Sequence, residues 1–423
     1  MLQAGFITEN KERVISALKK KNFKEMNLID EVIALDTLRK KIQYQADTTL
    51  AEINRISKEV GKLYSQGRRE EAETLKHRPA ELKETVKKLN EELSKTEQAL
   101  REKLLLIPNL PHESVPPGTG SEQNEKVAEG GPMPQLPDNA APHWELMSKY
   151  DLIDIEAGTK ITGAGFPLYT RRGARLQRAL IQFFLDEAIQ AGYEEVIPPF
   201  LVNEDSAFGT GQLPDKEGQM YETRLDKLYL IPTAEVPVTN IFRDMILEEK
   251  DLPVKRVAYS PCFRREAGSY GKDVRGLNRV HQFDKVEIVQ IQKPELSYQT
   301  LEEMVQYACS LLQKLQLPYR VMKLCGGDMS FASALTYDLE VYSAAQKRWL
   351  EVSSVSNFET FQSYRMKLRY RGADNKPHLA HTLNGSALAL PRIVAALLEN
   401  NQTAEGILIP EVLHEYTGFN KIT

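Results

Sequence analysis

Two apolar stripes in the first quarter of the chain leave it little choice of local fold. Ile42, Ala46, Thr49, Ile53, Ile56, Val60 and Leu63 step alternately by four and three residues, and Leu82, Val86, Leu89, Leu93, Thr96 and Leu100 repeat the pattern. A seam of that period runs along one side of a helix and is best buried against a matching seam. Between the stripes lies YSQGRRE, Tyr64 to Glu70, where Gly67 supplies a turn, so the spacing predicts an antiparallel helical hairpin. Pro79 lacks an amide donor, and the second helix should kink there or begin only near Ala80. Helices of this length reach roughly 40–60 Å, more than a compact core requires. A dimerisation coiled coil or a bundle packed on a body fits the spacing equally well. Arg68 and Arg69 at the turn, with Lys58 and Lys62 before them, favour a projecting tip that meets something anionic.

The charge distribution agrees with such an arm. From Met1 to Leu105, 22 Lys and Arg stand against 18 Asp and Glu, while the remainder carries 33 against 41. The first quarter is thus a mildly basic element on an acidic body. A length of 423 residues argues for two or three domains, and 41% hydrophobic with 27% charged residues excludes collagen-like and wholly disordered classes. Eight of the 22 prolines fall between Pro108 and Pro142. That shift marks a linker or irregular surface wrap at 107–142, between a helical arm at 1–106 and a body at 143–423.

No apolar run approaches the roughly 18 residues that span a bilayer. The opening MLQAGFITENKERVISALKKKNF has no continuous apolar stretch of the kind a secretory signal carries, so a cytoplasmic protein without a membrane partner is expected. Cys262, Cys309 and Cys325 form no CxxC pair, and His378 and His381 stand at HxxH spacing without further ligands nearby, so no zinc and no disulfide framework are expected.

In the body, RGARLQRALIQFFLDEAIQAG, SYQTLEEMVQYACSLLQKL and PRIVAALLENN have helical periodicity, whereas EEVIPPFLV, KLYLIPT, RVAYSPCFRRE, RVHQFDKVEIVQ, LTYDLEVYSA and RWLEVSSV read as strands. Strands follow one another without regular helical crossovers, which predicts an α+β body on an antiparallel β-sheet flanked by helices. Neither GxxxxGK[ST] nor GxGxxG occurs, so no glycine-loop phosphate cradle is expected.

The densest polar segment is FRREAGSYGKDVRGLNRVHQFDKVE, Phe263 to Glu287, which reads as a hairpin with a long tip and a second strand from Val280. By the period of two, Arg264 shares a face with Glu266, and His281, Phe283, Lys285 and Glu287 share another set of alternate positions. A guanidinium, carboxylates and an aromatic ring are the groups needed to grip phosphate, stack a base and bind an ammonium. Surface ion pairs on a solvated hairpin would look the same from charge density alone.

This segment resembles motif 2 of the class II aminoacyl-tRNA synthetases, and its wording is similar to that of the seryl-tRNA synthetase family. GYEEVIPPFLV with Pro199 resembles motif 1, at the dimer interface, and TLNGSALALPRIVAALLENNQ with Arg392 resembles motif 3. TGQLP, PTAEVP, TYDLEVY and LEVSSVSNFETFQ also match the family's wording, IPNLPHESVP resembles its linker, and the hairpin resembles its tRNA-binding arm. The resemblance spans essentially the whole chain.

It implies ATP-dependent attachment of L-serine to tRNA(Ser) through a seryl-adenylate, by a homodimer joined through motif 1, with tRNA(Sec) as a possible second acceptor. Arg264 would hold the α-phosphate and the serine carboxylate, Glu266 the adenine amino group, Phe283 the adenine face, and Arg392 the γ-phosphate. Arg265, Val280, Val352 and Ser353 complete the implied ATP-binding set. Glu351 and Ser354 would hold Mg2+, a hard cation that prefers oxygen. Strict alternation pairs Glu351 with Ser353, so Ser354 joins it only across a bulge or at a strand end. For serine the resemblance implies Thr233, Ala234, Glu235, Arg264, Glu287, Asn384 and Ser386. Leu335, Phe358 and Asp215 depart from the family's usual letters, and no role is drawn from Lys216. Two other classes compete: an aminoacyl carrier-protein ligase, disfavoured by the arm and the lack of a Cys cluster, and a non-catalytic coiled-coil interaction protein, disfavoured by intact Arg264, Glu266, Glu351 and Arg392.

Overall fold

The computed structural model describes residues 1–136, 140–215, 217–266 and 275–423. Two compact units emerge. The first comprises Met1–Lys19 and Phe23–Pro108; the second comprises Lys20–Asn22 and Asn109–Thr423.

The first unit is all helix: α1 (Ala4–Glu9), α2 (Lys11–Lys20, all but its last residue), α3 (Asn27–Ser65), α4 (Arg69–Lys76) and α5 (Arg78–Leu104). α3 has 39 residues and α5 has 27, about 58 Å and about 40 Å at the standard rise. They pack on one another through the seam residues. Ile42, Ala46, Ile53, Ile56 and Leu63 are buried on α3, and Val86, Thr96 and Leu100 on α5, while Thr49, Val60, Leu82, Leu89 and Leu93 are half-buried. Helical polar positions between them face water, as the heptad requires. Gly67 adopts φ +80°, where a side chain would be strained. Pro79 sits in the first turn of α5, where an amide would lack an intrahelical acceptor, so the helix starts at it instead of bending. The periodicity did not announce α4, a separate two-turn helix anchored by the fully buried Ala72. At the turn, Arg68 is held by Glu71 at 2.7 and 2.5 Å, so this member of the expected basic tip is already neutralised.

The second unit is built on eight strands: β1 (Glu125–Gly130), β2 (Glu194–Glu195), β3 (Val254–Phe263), β4 (Gln282–Gln292), β5 (Tyr319–Lys323), β6 (Leu335–Ser343), β7 (Arg348–Asn357) and β8 (His381–Ala389). Their order across the sheet is β1-β5-β6-β7-β8-β4-β3-β2, antiparallel throughout except for the parallel edge pair β3 and β2. Helices Arg171–Gln190, Ser297–Lys314 and Leu390–Asn400 pack on the sheet. Phe183, Phe184, Met304, Leu311, Ile393 and Leu397 join Val286, Ile288, Leu339 and Val355 in one continuous core.

Three features lay outside what the sequence showed. The proline-rich stretch contributes β1, paired to β5, instead of serving only as a wrap. β1 is exposed at five of its six positions, so it carries no apolar alternation to betray it. β8 was not legible as a strand because its first eight residues are all buried, which erases the period of two. The hairpin strand expected from Val280 begins at Gln282.

If the α3–α5 seam holds the first unit together, Ile42→Ala should lower its stability by about 2–4 kcal/mol in urea unfolding followed by circular dichroism. Tyr44→Ala, at a position 71% exposed, should change it by less than about 0.5 kcal/mol. Equal effects at the two positions would contradict the seam.

Candidate active site

The sheet's middle strands deliver the site. β3 ends at Phe263, and the next amide, that of Arg264, still donates to the His281 carbonyl at 2.9 Å. The ladder therefore holds Arg264 at the root of the hairpin. Its guanidinium lies over the Phe283 ring, 5.2 Å from the centroid, and Nε donates to the Pro232 carbonyl at 3.3 Å. Glu266 has φ +49°, so the backbone has left the strand and the expected shared face of Arg264 and Glu266 is lost. Its carboxylate instead pairs with Arg279, across the mouth of the loop. Arg265 is exposed and its amide donates to the Gln219 carbonyl at 2.9 Å. Residues 267–274 of the loop lie outside the described residues.

Beside this hairpin lies a buried polar pocket. Thr233 and Ala234 precede the short helix Glu235–Asn240. Glu235, Glu287 and Thr233 are at most 6% exposed, and Asn384 and Ser386 at most 8%. Ladder register sets Glu287 opposite Ser386, and the Ser386 hydroxyl donates to Glu287 at 3.4 Å. Burial, then the nearby Glu287 charge, push the Glu235 carboxyl up to about 7, against the pull of Gln362, Lys285 and Arg264. Two side chains that had no assigned role complete the pocket. Lys285 Nζ, itself buried, sits 2.5 Å from Glu287 and donates to Thr233 Oγ1 at 2.9 Å. Its period-two place on β4 between Phe283 and Glu287 was the available signal. Gln362 donates to Glu235 at 2.6 Å and to the Thr210 carbonyl at 3.0 Å, and accepts from Thr382 at 2.7 Å. No local pattern could have found it, since its partner Glu235 lies 127 residues away.

A third group forms where β6 meets β7. Register shifts between Leu339 and Glu340, so that Leu339 faces Ser353 and Glu340 faces Glu351, with Val352 the extra residue. This bulge turns Glu351 and Ser354 to the same face, which also carries Asp338 and Glu340. Ser353 points the other way and donates to the Ser386 carbonyl at 2.6 Å, while Val352 is 1% exposed. One buried oxygen of Asp338 has no hydrogen-bond partner, and burial followed by the Glu351 charge holds its carboxyl well above the usual range. Arg392 lies in the first turn of helix Leu390–Asn400, just after Pro391. It donates to the Glu351 carbonyl at 2.7 Å and the Asn278 carbonyl at 3.0 Å, and lies 3.7 Å from the Glu351 carboxylate. Val280 is buried alongside that limb of the loop.

Among the described residues, no group of three or more His, Cys, Asp or Glu is arranged to hold a metal. His378 pairs with Asp374 at 2.8 Å and His381 with the Ser297 hydroxyl at 2.7 Å, so the HxxH pair diverges. The three cysteines are free thiols. Of the unusual letters, Leu335 and Phe358 are buried apolar residues, and Asp215 accepts the amides of Gln219 and Met220 at 3.0 and 2.8 Å. Asp215 thereby fixes the segment against which the Arg265 amide rests. Lys216 lies outside the described residues. No helix among the described residues is long and apolar enough to cross a membrane.

Comparison with known proteins gives this geometry a context. Residues 1–111 match the family model described as the seryl-tRNA synthetase N-terminal domain, and residues 220–401 match the tRNA synthetase class II core domain (G, H, P, S and T). The chain is 51% identical to the serine--tRNA ligase of Salinibacter ruber over 424 residues, covering 100% of this chain and 99% of that one. It is 46% identical to the serine--tRNA ligase of Akkermansia muciniphila, covering 99% and 98%. Seryl-tRNA synthetase from Pyrococcus horikoshii, solved in complex with ATP, superposes with a TM-score of 0.93 at 33% identity, covering 100% of this chain and 99% of that one. The cytoplasmic enzyme of Naegleria fowleri, solved with AMP, gives 0.88 at 26% identity, covering the same shares. With both family models matched in order and near-half identity carried from end to end, the chain belongs to the seryl-tRNA synthetases, a family of class II aminoacyl-tRNA synthetases.

Proposed function

We propose that this protein joins L-serine to tRNA(Ser) in two steps within the pocket formed by β3, β4, β7 and β8. In the first, the serine carboxylate attacks the α-phosphorus of ATP, forming the acyl–phosphate bond as the bond to pyrophosphate breaks. In the second, a terminal hydroxyl of the tRNA attacks the adenylate carbonyl and AMP departs. The nucleophile of the first step is the substrate's own carboxylate, so the protein supplies position and charge neutralisation and needs no general base there.

The observation that carries this reading is the convergence of Glu235, Glu287, Thr233 and Ser386 in one buried pocket beside Arg264. Two carboxylates suit an ammonium and a donor hydroxyl. The serine hydroxyl would be selected for by a hydrogen bond in this pocket that alanine cannot make. Lys285 already neutralises Glu287, so the incoming ammonium is met chiefly by Glu235. Arg264 would span the serine carboxylate and the α-phosphate, and Phe283, with one face under that guanidinium, would offer the other to adenine. Glu266 would accept the adenine amino group, and Arg392 would take the γ-phosphate. Arg265 and Val280 would border this nucleotide region, whereas Ser353, turned to the opposite face, and the buried Val352 would only brace the strand that carries Glu351.

Glu351 and Ser354 would hold Mg2+. The residues fit, because the bulge aligns both oxygens on one face next to an unpartnered Asp338 oxygen, and magnesium commonly takes one or two carboxylates plus substrate phosphates. When bound it would offset phosphate charge. The basic arm would hold the tRNA, and the same reading extends to tRNA(Sec). A homodimer through the segment around β2 is supported by Ile197, Phe200 and Leu201, which are 86%, 37% and 44% exposed in the stretch after β2. The cytoplasm is the proposed site of action.

Amino-acid-dependent ATP–pyrophosphate exchange across the twenty amino acids should peak with serine, and Arg264→Ala should lower it at least about 10²-fold. Exchange unaffected by that change would remove Arg264 from the machinery.

A second outcome concerns pH. Glu235 must be ionised to hold an ammonium, and its carboxyl sits at about 7 in the free pocket. Acidification therefore protonates it, and KM for serine should rise as pH falls, by up to about tenfold per unit below about 6, and level off above about 8. A serine KM flat from about pH 5.5 to 8 would contradict the role.

Deleting Thr37 to Leu100 removes the seams but leaves the Glu31–Lys103 ion pair (2.6 Å) at the root of the hairpin. The shortened protein should lose tRNA charging while retaining much of the exchange reaction; loss of both in a folded variant would tie the arm to adenylate chemistry.

A further inference from the structure

The loop between β3 and β4 returns to the sheet through residues 275–280, and this limb is gripped from a direction the reaction does not require. His143 opens the helix His143–Lys149, directly after the proline-rich stretch, and is fully buried. Its Nδ1 lies 2.7 Å from Glu399 Oε1, and its own backbone amide donates to the same oxygen at 2.9 Å. The second oxygen of Glu399 takes the Ser343 hydroxyl. Burial pushes the Glu399 carboxyl up, but the hydrogen bonds from His143 and Ser343 overcome it and hold the group below the usual carboxylate range. Nε2 of His143 accepts the Leu277 amide at 2.9 Å. An acceptor there and a donor to Glu399 define the neutral Nδ1–H tautomer.

The trio is not a nucleophilic relay. The Ser343 hydroxyl faces the carboxylate, not the imidazole, and the free ring nitrogen is occupied by a backbone amide. What the imidazole does is hold the chain. At Gly276, φ is +66° and a Cβ would stand 2.3 Å from Nε2, so the limb approaches closely enough that only glycine fits. Arg275 lies over the Trp144 ring at 4.6 Å, and Leu277 is fully buried. A second strut runs beside the first: Asn278 Nδ2 donates to Gln346 at 3.0 Å, and Gln346 donates to Ser343 at 2.8 Å and to Glu399 at 3.1 Å. The carbonyl of Asn278 is the one that receives Arg392 Nε.

We propose that His143, braced by Glu399, is a positioning residue for ATP, pinning the returning limb so that Arg279, Val280 and Arg392 are set before the nucleotide arrives. The proposal rests on the nucleotide site described above. It acts at a distance from serine, whose pocket shares none of these contacts.

Serine-dependent pyrophosphate exchange on the full-length protein tests it. His143→Phe keeps the ring but orphans the Leu277 amide, and should raise KM for ATP about tenfold while KM for serine stays within about twofold. His143→Gln, which retains an acceptor and a donor, should recover part of the loss. Gln346→Ala lies in a half-buried turn and tests the second strut should His143→Phe fail to fold; it should raise KM for ATP at least about threefold. ATP KM values within twofold of the parent in Gln346→Ala and in folded His143→Phe, or ATP and serine KM rising together, would overturn the proposal. Arg392→Ala separates the two readings. If it raises KM for ATP while the clasp variants do not, the clasp alone falls; if it leaves KM for ATP unchanged, the nucleotide site falls and the clasp with it.

Discussion

Backbone register across β6, β7, β8 and β4 is the constraint on which the site depends. Side chains alternate with a period of two, so a slip of one residue at any of these ladders would turn a binding face into the core. Glu287 meets Ser386, Val355 meets Gly385 and Asp338 meets Ser354 because the hydrogen bonds allow nothing else. The single break in the β6–β7 ladder, at Val352, is what brings Glu351 and Ser354 to one face. A regular ladder would have delivered Ser353 to that face, whose hydroxyl is instead spent on the Ser386 carbonyl.

Inside that frame the buried polar groups partner one another. A buried carboxylate without a partner is costly. Glu287 is met by Lys285, and Glu235 by Gln362 and by partial neutralisation through its raised pKa. Gln362 ties three separate stretches together, since it bonds Glu235, the Thr210 carbonyl and Thr382 at once. The proposed nucleotide side follows the same logic, with Arg264 resting on Phe283, Glu266 on Arg279, and Arg392 on two backbone carbonyls. Under the proposed function, groups held in this way would lose little freedom on binding, which is the physical content of preorganisation.

The two long seams of the arm were legible, because a heptad seam is a local pattern and its burial needs only a matching neighbour. Gly67 was readable as a turn, which its positive φ bears out, whereas Pro79 left a kink or a helix start open, and its place in a first turn decided for the start. A bulge near Glu351 could also be expected beforehand, since the implied pairing of Glu351 with Ser354 has an odd spacing that a regular strand cannot place on one face. By contrast, β8 is buried along nearly its whole length and β1 is almost wholly exposed, and either extreme removes the alternation that marks a strand. α4 was too short to show a seam of its own.

For the proposed site, the family resemblance pointed to Arg264, Glu266, Phe283, Glu351 and Arg392, but not to their company. The chain's letters determined its helical hairpin, its α+β body and its family, because these follow from periodicity, turn chemistry and wording that lie within short windows. Tertiary structure alone decided that Lys285 neutralises Glu287, that Glu266 turns to Arg279, and that His143 reaches Leu277 across 134 residues. Those contacts depend on how strands from distant stretches align and how much water is excluded between them, and neither distance nor dielectric is written in any local run of residues.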